Sequence, residues 1–79
     1  MYHSPILIVE DEAIIGMALS HAVQQAGGEV VGPASTVKAA LNLLQTRPIS
    51  GAILDVNLAD GVVTPLVERL RERGIPLII

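Results

Sequence analysis

The sequence predicts an α/β fold, an open doubly wound sheet of parallel strands, from two observations. First, four short apolar runs begin near positions 6, 29, 52 and 76, at intervals of 23, 23 and 24 residues, and each interval carries a helical pattern. This spacing is typical of successive strand–helix units in a parallel sheet. Second, the runs are continuous rather than alternating, as in strands that are covered on both faces. Right-handed crossovers then favour an open sheet, because a closed barrel needs more strands.

Three strands are predicted at 6–9, 52–54 and 77–79, and a weaker one begins at about Glu29. Apolar residues recur at helical spacing between them. The first predicted helix spans about 12–26, and its apolar face consists of Ile15, Leu19, Ala22, Val23 and Ala26. Gly27-Gly28 is expected to end the first helix. Ser35 or Thr36 is expected to cap the start of the second helix, and Arg47-Pro48 to end it. The third helix is expected to start with a Thr64 cap followed by Pro65, and to end at Gly74.

Composition narrows the class of protein. The 79 residues are 51% hydrophobic with a mean hydropathy of +0.57, which is too apolar for a disordered segment. No apolar run reaches the roughly 18 residues that a membrane span needs, so we expect a cytoplasmic domain. Cysteine is absent, which excludes disulfides and thiolate metal sites. The net charge is −3 and no basic cluster is present, so this segment is not expected to bind nucleic acid.

Acidic residues directly follow two of the strands. Glu10 and Asp11 come after the first strand and Asp55 after the third, with Asn57 two residues later. Ligands of doubly wound sheets bind at the carboxyl ends of the strands, where the strand order reverses, so we expect these acids to converge. Two carboxylates about 4 Å apart repel by roughly 4 kcal/mol at an effective dielectric near 20, and therefore need a cation or a proton. Oxygen ligands without His or Cys suit Mg²⁺.

A simpler interpretation is that these acids only cap helices and stay solvated. It fits Glu12, because a carboxylate at the start of a helix is stabilised by the helix dipole. It fits Glu10, Asp11 and Asp55 poorly, because a charge that directly ends a buried strand is costly without a partner.

Two segments carry a resemblance to a known family. I-L-I-V-E-D-E at 6–12 and A-I-L-D-V-N-L-A-D-G at 52–61 resemble the two acidic signatures of response-regulator receiver domains. The resemblance implies the flavodoxin- or CheY-like strand order 2-1-3-4-(5). It also implies that Asp55 is the phosphoacceptor and that the metal is Mg²⁺. The implied ligands are the carboxylates of Asp11 and Asp55, Glu10 through a water molecule, and the backbone carbonyl of Asn57.

The same resemblance implies a signalling switch rather than an enzyme. The phosphoryl group would come from a sensor histidine kinase or a histidine phosphotransfer protein. Family members continue with a fifth strand and two further helices, so residues 1–79 are expected to form a partial receiver domain, about 40 residues short of a complete one. If the chain ends at Ile79, an apolar edge strand would be uncovered, and we expect a dimer or a swapped oligomer.

Two alternatives remain open at this stage. A phosphatase of the haloacid-dehalogenase type also places a nucleophilic Asp after a parallel strand. It needs a second Asp two residues later, where this chain has Asn57, and it leaves Glu10 and Asp11 unexplained. The other alternative is an interaction or assembly module that is not phosphorylated, which phosphoryl transfer from acetyl phosphate would distinguish from a receiver.

Overall fold

The computed structural model describes residues 4–55, 58 and 62–79, in which strands and helices alternate along the chain. The elements are β1 (Pro5–Val9), α1 (Ala13–Gln25), β2 (Glu29–Ala34), α2 (Val37–Thr46), β3 (Gly51–Leu54), α3 (Thr64–Glu72) and β4 (Leu77–Ile78). Every predicted element is present, with bounds that differ from the expected ones by only a few residues. Among the helices in this part of the chain, none is long and apolar enough to cross a membrane.

The four strands form one parallel sheet in the order β2-β1-β3-β4. This confirms the predicted α/β fold and its doubly wound strand order 2-1-3-4. The chain moves outward from β1 to β2 and then crosses back to β3, so the order reverses between β1 and β3. Val9 pairs with Leu54 in the β1–β3 register, which places the carboxyl ends of these two strands side by side.

The larger part of the core lies on the face of the sheet that α2 and α3 cover. Alternate strand residues point to this face, because successive side chains of a strand point to opposite sides. Leu44 of α2 and Leu66 and Leu70 of α3 pack there with 0–1% of their surface exposed. The buried residues of this cluster are Leu7, Val9, Val31, Ala34, Val37, Ala40, Leu44, Ala52, Leu54, Leu58, Val63, Leu66 and Leu70.

Helix α1 covers the opposite face, where Ile8 is fully buried. The predicted apolar side of α1 is only partly buried. Val23 is 8% exposed, but Ile15 is 43% exposed, and Ala26 lies beyond the end of the helix. The reason is the position of α1, which packs over β1 and β2 and leaves an apolar groove beside it, lined in part by Val23, Ile53 and Ile78.

The helix caps follow the sequence in one case and differ from it in another. Thr36 caps α2, since its Oγ1 accepts a hydrogen bond from the backbone N–H of Ala39 at 3.0 Å. The prediction that Thr64 caps α3 is wrong. Val63 occupies the cap position, and among the described residues no side chain makes a cap hydrogen bond there. Val63 is buried in the core, so the helical backbone begins one residue earlier than the hydroxyl of Thr64 would require.

We predict that Leu70→Ala will lower the free energy of unfolding of the intact protein by about 2–5 kcal/mol, because it removes a fully buried side chain from the larger core. Met17→Ala is the control, since Met17 is 70% exposed and its change should fall within about 0.5 kcal/mol. Urea denaturation measures both variants. Equal losses in the two would contradict this description of the core.

Candidate functional site

The backbone fixes two of the acidic residues at the carboxyl edge of the sheet. Asp55 follows β3, and its N–H donates a hydrogen bond to the carbonyl oxygen of Val9 at 2.8 Å. Glu10 follows β1, and its N–H donates to the carbonyl oxygen of Ala34 at 2.9 Å. The sheet pairing thus extends one residue past each strand, and the adjacent residues Glu10 and Asp55 are positioned by the same pairing that holds β1 in the centre of the sheet.

The structure brings Glu10, Asp11 and Asp55 together. Each carboxylate offers an oxygen, and these oxygens lie within 4.8 Å of one another. Glu10 is buried, Asp55 is half-buried and Asp11 is exposed. The cluster therefore has a buried side against the sheet and an open side from which an ion or a substrate can approach. Asn57, the fourth residue predicted for this site, lies outside the described residues.

The Glu10 carboxylate is also held by the residue that precedes helix α1. Its Oε2 accepts a hydrogen bond from the backbone N–H of Glu12 at 3.1 Å. Glu12 occupies the cap position by its backbone, but its own side chain makes no cap hydrogen bond. The interpretation of Glu12 as a residue that only supports the start of the helix is compatible with its exposure. The sequence did not indicate the hydrogen bond between Glu12 and Glu10.

The surroundings raise the pKa of the Glu10 carboxyl above its ordinary value. The largest single influence, the hydrogen bond from the N–H of Glu12, lowers this pKa. Burial, hydrogen bonding and negative charge from Asp55, and a hydrogen bond with Asp11 raise it, and together they prevail. Because this pKa is raised by folding, the free energy of unfolding falls as the pH rises through the raised value. Ionisation of Glu10 therefore opposes folding, and a cation bound beside it would reduce that opposition.

This arrangement can hold a divalent metal ion. The ligand atoms are all carboxylate oxygens, and hard divalent cations prefer such ligands. The half-buried Asp55 is also accessible to a reacting group from the open side.

A groove on the α1 side begins at the acidic cluster. Its acidic lining residues are Glu10, Asp11 and Glu12, without Asp55. The rest of the lining comes from α1 and from the end of β2, and includes Gly16, Met17, His21 and Pro33. Sequence reasoning gave none of these residues a place at the site. The sequence indicates their position only weakly. The four-residue spacing of Met17 and His21 shows that they share a helix face, but not which face. Gly16 and Pro33 are far apart in the chain and come together only in the fold.

Comparisons with known proteins place the chain among response regulators. No protein-family model matches it, and neither does any curated protein. Several solved structures match along almost its whole length, among them the three that follow. SdrG from Sphingomonas melonis Fr1 is 40% identical, with 98% of this chain and 67% of that chain covered and a TM-score of 0.87. The response regulator PhyR from Brucella abortus is 34% identical, with 98% and 32% covered and a TM-score of 0.87.

The third structure is the MaeR response regulator bound to beryllium trifluoride. It is 27% identical, with 95% of this chain and 64% of that chain covered and a TM-score of 0.83. The chain thus spans about two thirds of SdrG and MaeR and about one third of PhyR. The superposition covers 95–98% of this chain, which includes the strands whose ends carry the acidic cluster. The chain therefore belongs to the response-regulator family and has the fold of its receiver domain.

Proposed function

We propose that this chain is a phosphoacceptor module of a two-component phosphorelay, in which Asp55 receives a phosphoryl group from a sensor histidine kinase or a histidine phosphotransfer protein. The observation that carries the proposal is the convergence of three carboxylates at the point where the strand order reverses. Membership of the response-regulator family favours a phosphoryl-accepting role for this cluster. Without that membership, the same cluster would indicate a cation site only.

In the proposed reaction, a carboxylate oxygen of Asp55 attacks the phosphorus atom of the donor. The bond between phosphorus and the histidine nitrogen breaks, the new bond to oxygen forms, and the imidazole takes up a proton. The product is an acyl phosphate on Asp55. A carboxylate attacks a phosphoryl group only when the repulsion between their negative charges is screened. Bound Mg²⁺ would supply that screening at this site.

The three acidic residues would bind the ion in two different ways. Asp11, which is exposed, and Asp55 would ligate Mg²⁺ directly, and Glu10, which is buried and fixed by the N–H of Glu12, would reach it through water. The backbone carbonyl of Asn57 is the further ligand that the family resemblance implies. Mg²⁺ keeps several waters when proteins bind it, so a site with few protein ligands is compatible with this ion.

The comparison with MaeR is compatible with this proposal. The MaeR structure is that of a response regulator bound to beryllium trifluoride. Beryllium trifluoride takes the tetrahedral shape of a phosphoryl group once a carboxylate oxygen coordinates it. We infer that the present chain works as a switch rather than as an enzyme, and that it acts in the cytoplasm. Phosphorylation would shift an equilibrium between two conformations of the receiver domain.

We predict that acetyl phosphate and Mg²⁺ will phosphorylate the intact protein on Asp55. Borohydride reduction followed by peptide mass spectrometry identifies the labelled residue. Asp55→Asn should take up no label. Asp60→Asn makes the same chemical change five residues later and should be labelled normally. Label on any other residue, or undiminished label in Asp55→Asn, would refute the assignment.

We further predict weak Mg²⁺ binding that depends on the cluster. Asp11→Ala and Asp55→Asn should each weaken the affinity by about 10-fold or more, because the first removes a proposed ligand and the second removes the negative charge of another. Glu12→Gln serves as the control, since Glu12 is adjacent in sequence but its side chain lies outside the cluster. Isothermal calorimetry with Mg²⁺ alone measures all four proteins. Unchanged affinity in both cluster variants would show that the ion binds elsewhere.

A further inference from the structure

Beside the acidic cluster, α1 makes an unusually close contact with the end of β2. The contact is at Gly16, which is buried in the first turns of the helix. If residue 16 carried a Cβ atom, that atom would lie 3.3 Å from Cγ and 3.5 Å from Cβ of Pro33, and 4.0 Å from Cγ of Glu10. The missing side chain thus leaves a gap with Pro33 on one side and the stem of Glu10 on the other.

Pro33 occupies this place because β2 bulges. The β1–β2 register runs from Leu7 opposite Val31 to Val9 opposite Ala34, so two steps along β1 correspond to three along β2. The extra residue falls at 32–33. A proline has no N–H to donate within a sheet and is tolerated at such a bulge. The bulge allows normal pairing to resume after the proline.

Glycine at position 32 is required for this bulge. Gly32 has a φ of 101°, a backbone conformation that residues with a side chain rarely adopt. A Cβ atom there would lie 2.8 Å from the carbonyl oxygen of Ile8 and 2.7 Å from the nitrogen of Ala34. Both obstacles are backbone atoms, so neither can move aside without breaking the pairing of β1 with β2. The local sequence therefore fixes the shape of the bulge.

The bulge is connected directly to Glu10. Pairing resumes at Ala34, whose carbonyl oxygen accepts the hydrogen bond from the N–H of Glu10 at 2.9 Å. On the other side, Glu12 leads directly into α1, and its N–H holds the Glu10 carboxylate at 3.1 Å. Glu10 is thus tied by its backbone N–H to the end of the bulge and by its carboxylate to the residue that precedes α1. Where α1 and the bulge come closest, at Gly16 and Pro33, a side chain at position 16 would leave too little space for the present separation.

We propose that Gly16 is a positioning residue of the acidic site. Together with the bulge at 32–33, it lets α1 approach β2 closely enough to hold the Glu10 carboxylate at the distance from Asp11 and Asp55 that a divalent cation requires. This inference rests on the proposed Mg²⁺ site. It assigns Gly16 no contact with the ion, so its effect is transmitted through Pro33 and the stem of Glu10.

The test is Gly16→Ala in the intact protein, with calorimetric titration of Mg²⁺ and urea denaturation of the same sample. The added methyl group displaces Pro33 or α1 by a few tenths of an ångström, and we expect Mg²⁺ to bind about 10-fold more weakly, as when a supporting residue of a metal site is changed. The unfolding midpoint should stay the same or rise, because alanine is the better helix former. If Gly16 served only the stability of the fold, the Mg²⁺ affinity and the unfolding midpoint would fall together.

Ser20→Ala is the matched control. Ser20 lies one turn further along α1 and lines the same groove, but its hydroxyl only donates back to the carbonyl oxygen of Gly16. It should bind Mg²⁺ with the affinity of the unaltered protein. If the unaltered protein binds no Mg²⁺, the proposed function fails. If it binds Mg²⁺ and Gly16→Ala binds equally well, the proposed function stands and the positioning role of Gly16 is overturned.

A second measurement needs no variant and covers the case in which Gly16→Ala does not fold. In a Mg²⁺ titration of the unaltered protein followed by NMR, the amide resonances of Gly16 and Ala34 should shift in parallel with that of Glu10. The amide of Gln25, at the far end of α1, should stay in place. Shifts of Glu10 without shifts of Gly16 and Ala34 would overturn the inference.

Discussion

The close approach of three carboxylates is the interaction on which the rest of the structure depends. Ionised oxygens within 4.8 Å of one another repel, so the fold has to hold them together against that repulsion. The sheet does this. Leu7, Ile8 and Val9 are fully buried, and β1 is paired on both sides. Glu10 and Asp11 therefore follow the most deeply buried strand, and Asp55 follows its neighbour β3. Burial of apolar surface in the centre of the sheet offsets an electrostatic cost at its edge.

The two faces of the sheet contribute differently to this edge. On one face, α2 and α3 pack large side chains into a continuous core, and Arg73 at the end of α3 donates a hydrogen bond to the carbonyl oxygen of Leu44 in α2 at 2.8 Å. On the other face, α1 approaches through Gly16 and Val23. Strand alternation directs the residue after Val9 toward this second face, so the Glu10 side chain emerges beneath α1 rather than in the larger core. The absence of a side chain at Gly16 leaves room for the Glu10 side chain beneath α1.

The sequence predicted the fold because its signals are periodic and redundant. Even strand spacing, continuous apolar runs and helix breakers all indicate the same topology, and an error in one of them, such as the cap at Thr64, leaves the rest unchanged. The convergence of Glu10, Asp11 and Asp55 also followed, because strand order alone decides which strand ends are neighbours. The roles of Gly16 and Gly32 could not be foreseen. Each depends on a distance between segments that meet only in the folded chain, and a glycine in the sequence does not indicate which atoms approach it.

The position of α1 shows how far a helix that begins beside the cluster can compensate its negative charge. The amino end of a helix carries a partial positive charge and free N–H groups, which together stabilise anions. Here the N–H of Glu12 gives its hydrogen bond to Glu10 and lowers the pKa of that carboxyl. The pKa nevertheless remains raised, because burial and the two neighbouring acids act in the opposite direction. The hydrogen bond from the N–H of Glu12 therefore does not outweigh burial and the two neighbouring acids at Glu10. In the proposed function, a divalent cation would neutralise the remaining charge, and phosphorylation of Asp55 would bring further negative charge for it to neutralise.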